Sequence, residues 1–165
     1  MKNLATLLVT LFAFVVTSAA GAASIRLREG VDYVRISPVQ TQQVPGIEVI
    51  EFFSYGCPHC NQFEGTVGKW RATLRKDVTF RRVPISFGNT QWAALAKLYL
   101  ALEVSGDLSR VDSDVFAAIH VKKLPLTNEK RIGDWIAMRV TDPKKFNEIY
   151  QSFGIEAMAD RKSVV

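Results

Sequence analysis

IEVIEFFSYGCPHCNQFE, residues 47–64, contains both cysteines of the 165-residue chain. Its first seven residues are nearly all apolar or β-prone, as in a strand buried on both faces. Pro58 suits the first turn of a helix, because a proline at N1 gives up no intrahelical hydrogen bond. The pattern therefore predicts a strand over residues 47–53 and a helix from near Cys57 to Arg75. Gly65 and Gly68 should kink or loosen that helix, each being about 1 kcal/mol worse than alanine. VTFRRVPI, residues 78–85, reads as the next strand, with Pro84 confining its end to an edge or a bulge.

Upstream, VDYVRI (residues 31–36) alternates and is predicted as a further strand, followed by a loop over 37–46. Downstream of Phe87 the pattern turns helical. Thr90 is expected to cap a helix over 91–104 that Gly106 stops, with Leu95, Leu98, Tyr99 and Leu102 on its one apolar face. Further helices are expected over 109–120, from residue 127 or 128 to 140, and over 143–153, the last opened by Asp142-Pro143 and stopped by Gly154. A short helix should follow from Ile155. The class is α/β, with strand, strand, helix, strand and then a helical block.

At the start of the chain, Lys2 is the only charge before Arg26, residues 4–16 are an apolar run, and residues 17–23 are almost all small. This reads as a signal peptide over 1–23, cleaved between Ala20 and Ala23. A membrane anchor would need about 20 strongly apolar residues. The mature chain would be exported to a compartment where disulfides persist. Its side-chain charge would be 20 basic minus 16 acidic, or +4. The basic residues fall in scattered pairs such as Arg75-Lys76, Arg81-Arg82 and Lys122-Lys123, a pattern of solvated surface rather than of a nucleic-acid face.

Three chemistries could occupy C-x-x-C. As a staple it would close four residues for about 2 kcal/mol, against about 3 for a fifteen-residue loop, so a stapled protein would place its cysteines farther apart. A structural zinc site usually needs four ligands. Only His59 and His120 could supplement the thiols, and His59 is badly placed to chelate beside its neighbours. Thiol–disulfide exchange fits best. At a helix start, unpaired N–H groups favour a thiolate on the first cysteine, and the thiolate is the reactive form. This makes Cys57 the nucleophile and Cys60, one turn in, the resolving thiol.

E-F-F-S-Y-G-C-P-H-C-x-Q-F-E resembles the active-site segment of the DsbA family, the periplasmic thiol:disulfide oxidoreductases of bacteria, and the likeness runs on to about residue 154. It implies a thioredoxin-like fold with an inserted helical domain. Residues 24–88 would be the first part of the thioredoxin-like domain, 89–153 the insert, and 154–165 the start of a returning helix. The resemblance also implies that Pro58 and His59 belong to the catalytic loop. His59 would stabilise the Cys57 thiolate. Glu51, six residues before Cys57, would take the proton of Cys60, and Glu64 would be a weaker electrostatic neighbour. It implies no organic cofactor and no metal. The partners would be reduced or unfolded exported proteins and a DsbB-type quinone-linked membrane oxidase, with the chain itself a monomer.

In the family a cis-proline loop, two more strands and a final helix follow the returning helix. Here no proline follows Pro143, and the chain closes on ADRKSVV. The expectation is therefore a truncated or frame-shifted member. The alternative function is that of a poorly active remnant, at most a weak binder of unfolded chains.

Overall fold

A computed structural model describes residues 26–35 and 44–162, the last two by their backbone alone. The signal-peptide reading lies outside the described residues. The chain divides into two units, Met1–Thr41 and Gln42–Val165.

In the first unit the strand expected over 31–36 is absent from the described residues. The chain turns there instead. Gly30 takes φ +80° and its N–H donates to Tyr33 O at 2.7 Å. The Arg28 N–H donates to the Asp32 carboxylate at 2.8 Å, leaving only an isolated bridge between Glu29 and Tyr33. A left-handed glycine and an aspartate bonded to the backbone override the β propensity of the valines.

In the second unit β1 (Ile47–Phe53) and β2 (Val78–Pro84) run parallel, with Glu51 opposite Arg82 and Phe53 opposite Pro84. Pro84 ends β2, where its missing N–H costs least, and Ile85 N–H resumes the bonding to Phe53 O at 2.8 Å. α1 (Pro58–Arg71) joins the two strands. It runs unbroken through Gly65 and Gly68. It ends four residues early, where Thr73 N–H bonds Trp70 O in a tightened last turn.

α2 (Thr90–Ser105) is capped by Asn89, not Thr90: the Asn89 side chain accepts from the N–H groups of Gln91 and Trp92. Gly106 stops it at φ +83°, as predicted. Residues 94–102 are buried without a break, so α2 has no single apolar face. It is the central helix, covered on all sides, and the whole stretch is apolar apart from Lys97 and the Tyr99 hydroxyl. Lys97 is neutralised by Glu129 at 2.7 Å and Glu156 at 2.8 Å. α3 (Leu108–Phe116) passes into a π-helical segment, Ala117–Val121. α4 (Glu129–Ile136) starts on its Asn128 cap but ends before Val140. α5 (Pro143–Tyr150) is capped by Asp142 as expected. Gly154 does not stop it. The break falls at residues 151–152, and α6 (Phe153–Lys162) carries Gly154 inside its first turn, with Ser152 Oγ accepting from Ile155 N–H at 3.3 Å. A serine able to cap outcompetes the glycine as the boundary signal.

An aromatic cluster joins the sheet to the helices. Phe53 lies edge-on to Tyr99 at 5.0 Å, and Tyr55 edge-on to Phe116 at 5.0 Å, each pair adding ~0.5–1.5 kcal/mol beyond its buried area. Asp107 closes the helical block elsewhere. Its buried carboxylate accepts from Thr141 Oγ1 and from Arg110, both at 2.6 Å, and from Thr141 N–H at 3.1 Å. Burial opposes ionisation, but these donors win and bring its pKa from 3.8 down to about 2. The folded pKa is depressed, so the stability it contributes is present above about 3.8 and lost as pH falls through about 2. Asp107→Asn should therefore cost ~2 kcal/mol near neutrality and much less at the acid end. Urea melts of both proteins across that range measure the difference.

Candidate active site

The two thiols lie where β1 gives way to α1. Cys57 is the N-cap residue, with extended backbone (φ −82°, ψ 118°), and its side chain makes no capping hydrogen bond. Its N–H donates to Ser54 O at 3.0 Å, and its own carbonyl accepts from Asn61 N–H at 3.2 Å. Both cysteines are free and half-buried, and Cys60 also packs against the main core. Pro58 and His59 between them are exposed.

Burial pushes the Cys57 thiol up, but the N–H and thiol of Cys60 and the N–H of His59 outweigh it and bring the group below its ordinary value. His59 thus acts on Cys57 through its backbone. Cys60 moves the other way, to about 11. Burial is the main cause, the backbone of Ser54 opposes it, and Cys57 and the negative charge of Glu51 add to it. One turn of helix therefore separates a thiol whose pKa is lowered from one whose pKa is raised.

Strand β2 carries a buried cation, although the scattered basic pairs read as solvated surface. The Arg82 side chain is 3% exposed. Its Nε donates to Glu51 Oε2 at 2.7 Å and its Nη1 to Asp112 Oδ2 at 2.9 Å. Its Nη2 donates to Glu64, and the guanidinium lies over the Phe53 ring at 5.1 Å. The three carboxylates hold its pKa above the ordinary arginine value against the pull of burial. Glu51 and Glu64 thus share one clamp. Asp112 extends it into the helical block, where it accepts from the Tyr55 hydroxyl at 2.6 Å. Burial, then Asp112, raises the Tyr55 pKa, which keeps the phenol a donor. The strand period held a clue: Arg82 shares its face of β2 with Phe80 and Pro84, an apolar setting.

Trp92, from the first turn of α2, closes over the loop. A Cβ on Gly56 would lie 2.7 Å from its Cδ1 and 3.0 Å from its Cε2. Gly56→Ala must displace the indole or the backbone beside Cys57, at an expected cost of ~1–3 kcal/mol. A urea melt checks it, and a change under a few tenths of a kcal/mol would show the contact to be loose.

A parallel β–α–β unit with a cysteine pair at its first strand–helix joint, followed by a helical block, is a thioredoxin-like fold carrying an insertion. No protein-family model matches the chain. Thiol:disulfide interchange protein DsbA of Bordetella parapertussis is 39% identical over 134 residues, 79% of this chain and 62% of that protein. The DsbA of Azotobacter vinelandii is 35% identical over 146 residues, 88% of this chain and 68% of the relative. The crystal structure of Pseudomonas aeruginosa DsbA superposes with a TM-score of 0.69 at 38% identity, over 78% of this chain and 66% of that one. The chain belongs to the DsbA family. It spans about three fifths of the length of the Bordetella relative.

Proposed function

We propose that this chain is a thiol:disulfide oxidoreductase that donates its Cys57–Cys60 disulfide to reduced, exported proteins in the periplasm. The observation that carries this reading is the opposed pair of thiols at the start of α1, Cys57 lowered and Cys60 raised to about 11. A substrate thiolate attacks Cys57 Sγ. The Cys57–Cys60 bond breaks, and Cys60 leaves with the electron pair and takes up a proton. A second substrate thiolate then attacks the substrate sulfur of the mixed disulfide and releases Cys57 as a thiolate. The substrate loses two electrons and the cysteine pair gains them. Stabilising the Cys57 thiolate stabilises the reduced protein, which makes the disulfide oxidising.

Glu51 is the group we assign to take the proton of Cys60 when the reduced pair is reoxidised, because its negative charge is felt at that sulfur. Its clamp on Arg82 holds the carboxylate in place. Pro58 sets the turn between the thiols and His59 supplies an N–H to Cys57, with Glu64 steadying the clamp. For the division into 24–88, 89–153 and 154–165, the change from strands to an all-helical stretch supports the boundary at Gly88-Asn89. The apolar leader of residues 1–23 supports export, and family membership supports reoxidation by a DsbB-type quinone-linked membrane oxidase, with the chain acting as a monomer.

The test is oxidative refolding of a reduced substrate enzyme by the disulfide form of this chain, following substrate activity and free thiols together. Recovery of activity, with a matching appearance of thiols on Cys57 and Cys60, is expected. Binding of the reduced substrate without thiol exchange would instead identify a weak binder of unfolded chains.

A further inference from the structure

Tyr55, two residues before Cys57, is held entirely from its surroundings. It is 1% exposed, its hydroxyl donates to Asp112, and its ring packs edge-on against Phe53 and Phe116. The peptide that follows it is held as well. The Tyr55 carbonyl lies 2.8 Å from His120 Nε2, and the Gly56 N–H donates to Ser54 Oγ at 3.2 Å. A carbonyl only accepts, so the proton of this bond sits on Nε2. A planar peptide fixed at both its oxygen and its nitrogen cannot rotate. The next N–H, that of Cys57, is then delivered to Ser54 O, and the backbone of Ser54 also reaches Cys60.

His120 is brought there by an unusual piece of backbone. It lies in the π-helical segment, whose wider turn is closed by Lys122 N–H bonding Ala117 O at 2.9 Å. Such single wide turns recur at functional sites. The imidazole stacks on the Phe116 ring at 6.2 Å and 30°, so ring and carbonyl together set its position.

Resting on the exchange chemistry proposed above, we infer that His120 is a positioning residue for the redox loop: from the helical block, it fixes the Tyr55–Gly56 peptide and through it the alignment of Cys57 with the N–H groups of His59 and Cys60. A residue more than sixty positions away in sequence thereby sets the reactivity of the first thiol. If the peptide is free to turn, those donors separate from the thiolate. The loop has little room to compensate, because Trp92 closes on Gly56.

Three variants of the full chain test this: His120→Gln, His120→Asn and His120→Leu. Glutamine can place an N–H donor near the position of Nε2, asparagine is one methylene too short, and leucine has no donor. In the reduced proteins, thiolate absorbance against pH reads the ionisation of Cys57, and equilibration with glutathione reads the redox constant. His120→Asn and His120→Leu should ionise at higher pH and shift the redox constant about fivefold toward the disulfide, the equivalent of ~1 kcal/mol for one hydrogen bond. His120→Gln should stay within about twofold of the parent. Unchanged thiol chemistry in the asparagine variant, even with a lower melting temperature, overturns the inference, as does a glutamine variant shifted as far as the asparagine one. The Gln and Asn pair decides the matter should the leucine variant not fold. A parent protein whose Cys57 ionises at the ordinary thiol value would instead overturn the exchange reading of the site, and this inference with it.

Discussion

Cys57→Ser is expected to abolish disulfide transfer, whereas Cys60→Ser should accumulate mixed disulfides when offered a disulfide-bonded substrate: the Cys57 thiolate attacks that disulfide, displaces one substrate thiolate, and has no neighbouring thiol to resolve the new bond. The asymmetry follows from the two thiols. Cys57 lies below its ordinary value of 9.0 and Cys60 near 11, at least two pH units apart. Below both values Cys57 carries about a hundredfold more thiolate or better. Part of that advantage is returned, because nucleophilicity falls as thiol pKa falls, with a Brønsted slope of about 0.4–0.5. A net preference of at least about tenfold for Cys57 remains. Alkylation of the reduced protein near pH 5, read by peptide mass, should label Cys57 first. Equal labelling, or stable mixed disulfides formed by Cys57→Ser rather than Cys60→Ser, would reverse the assignment.

Arg82→Met is expected to be the most destabilising single change near the site. It leaves Glu51, Glu64 and Asp112 facing one another with no cation, and removing one partner of a buried ion pair typically costs ~3–5 kcal/mol. The penalty comes from the stranded carboxylates rather than from lost attraction, which gives the prediction its check. Adding Glu51→Gln and Asp112→Asn to Arg82→Met should recover a substantial part of the loss, although each is unfavourable alone. Such strong coupling is expected of groups in one network. Urea melts of the single, double and triple variants measure it. Additive losses would mean that Arg82 contributes through packing on Phe53 instead. Arg82→Lys should fall between, since an ammonium keeps the charge but not the fork that reaches three partners.

The parts of this protein that local chemistry governs were legible without coordinates. Cys57 and Pro58 mark the helix start, Asp142 caps α5, and Gly106 ends α2, because in each case the deciding hydrogen bond or dihedral lies within a few residues. Where two local signals competed, the reading slipped by a residue or more. Asn89 beside Thr90 and Ser152 beside Gly154 each offered an alternative boundary, and the side chain able to bond the free N–H groups won. Among the described residues, 31–35 form no strand for a related reason: the Gly30 turn and the Asp32 bond are short-range, whereas β propensity needs a partner strand to be expressed.

The cysteine pair belongs to the local part. Spacing and helix position alone placed both cysteines, and the donors that lower Cys57 come from the same turn. What surrounds them does not. Arg82 reads as a surface arginine until Glu51 and Asp112, 31 and 30 residues away, are folded against it. His120 is an unremarkable half-buried histidine until the π-helical turn brings it to the Tyr55 carbonyl, 65 residues upstream. By itself the sequence determined that the cysteine pair sits at a helix start, because Cys57 and Pro58 mark that start within a few residues and a cysteine there meets its own backbone N–H groups. Only the tertiary structure decided which charges and donors hold the pair in place, because burying a cation or fixing a peptide requires partners that the chain brings together only by folding.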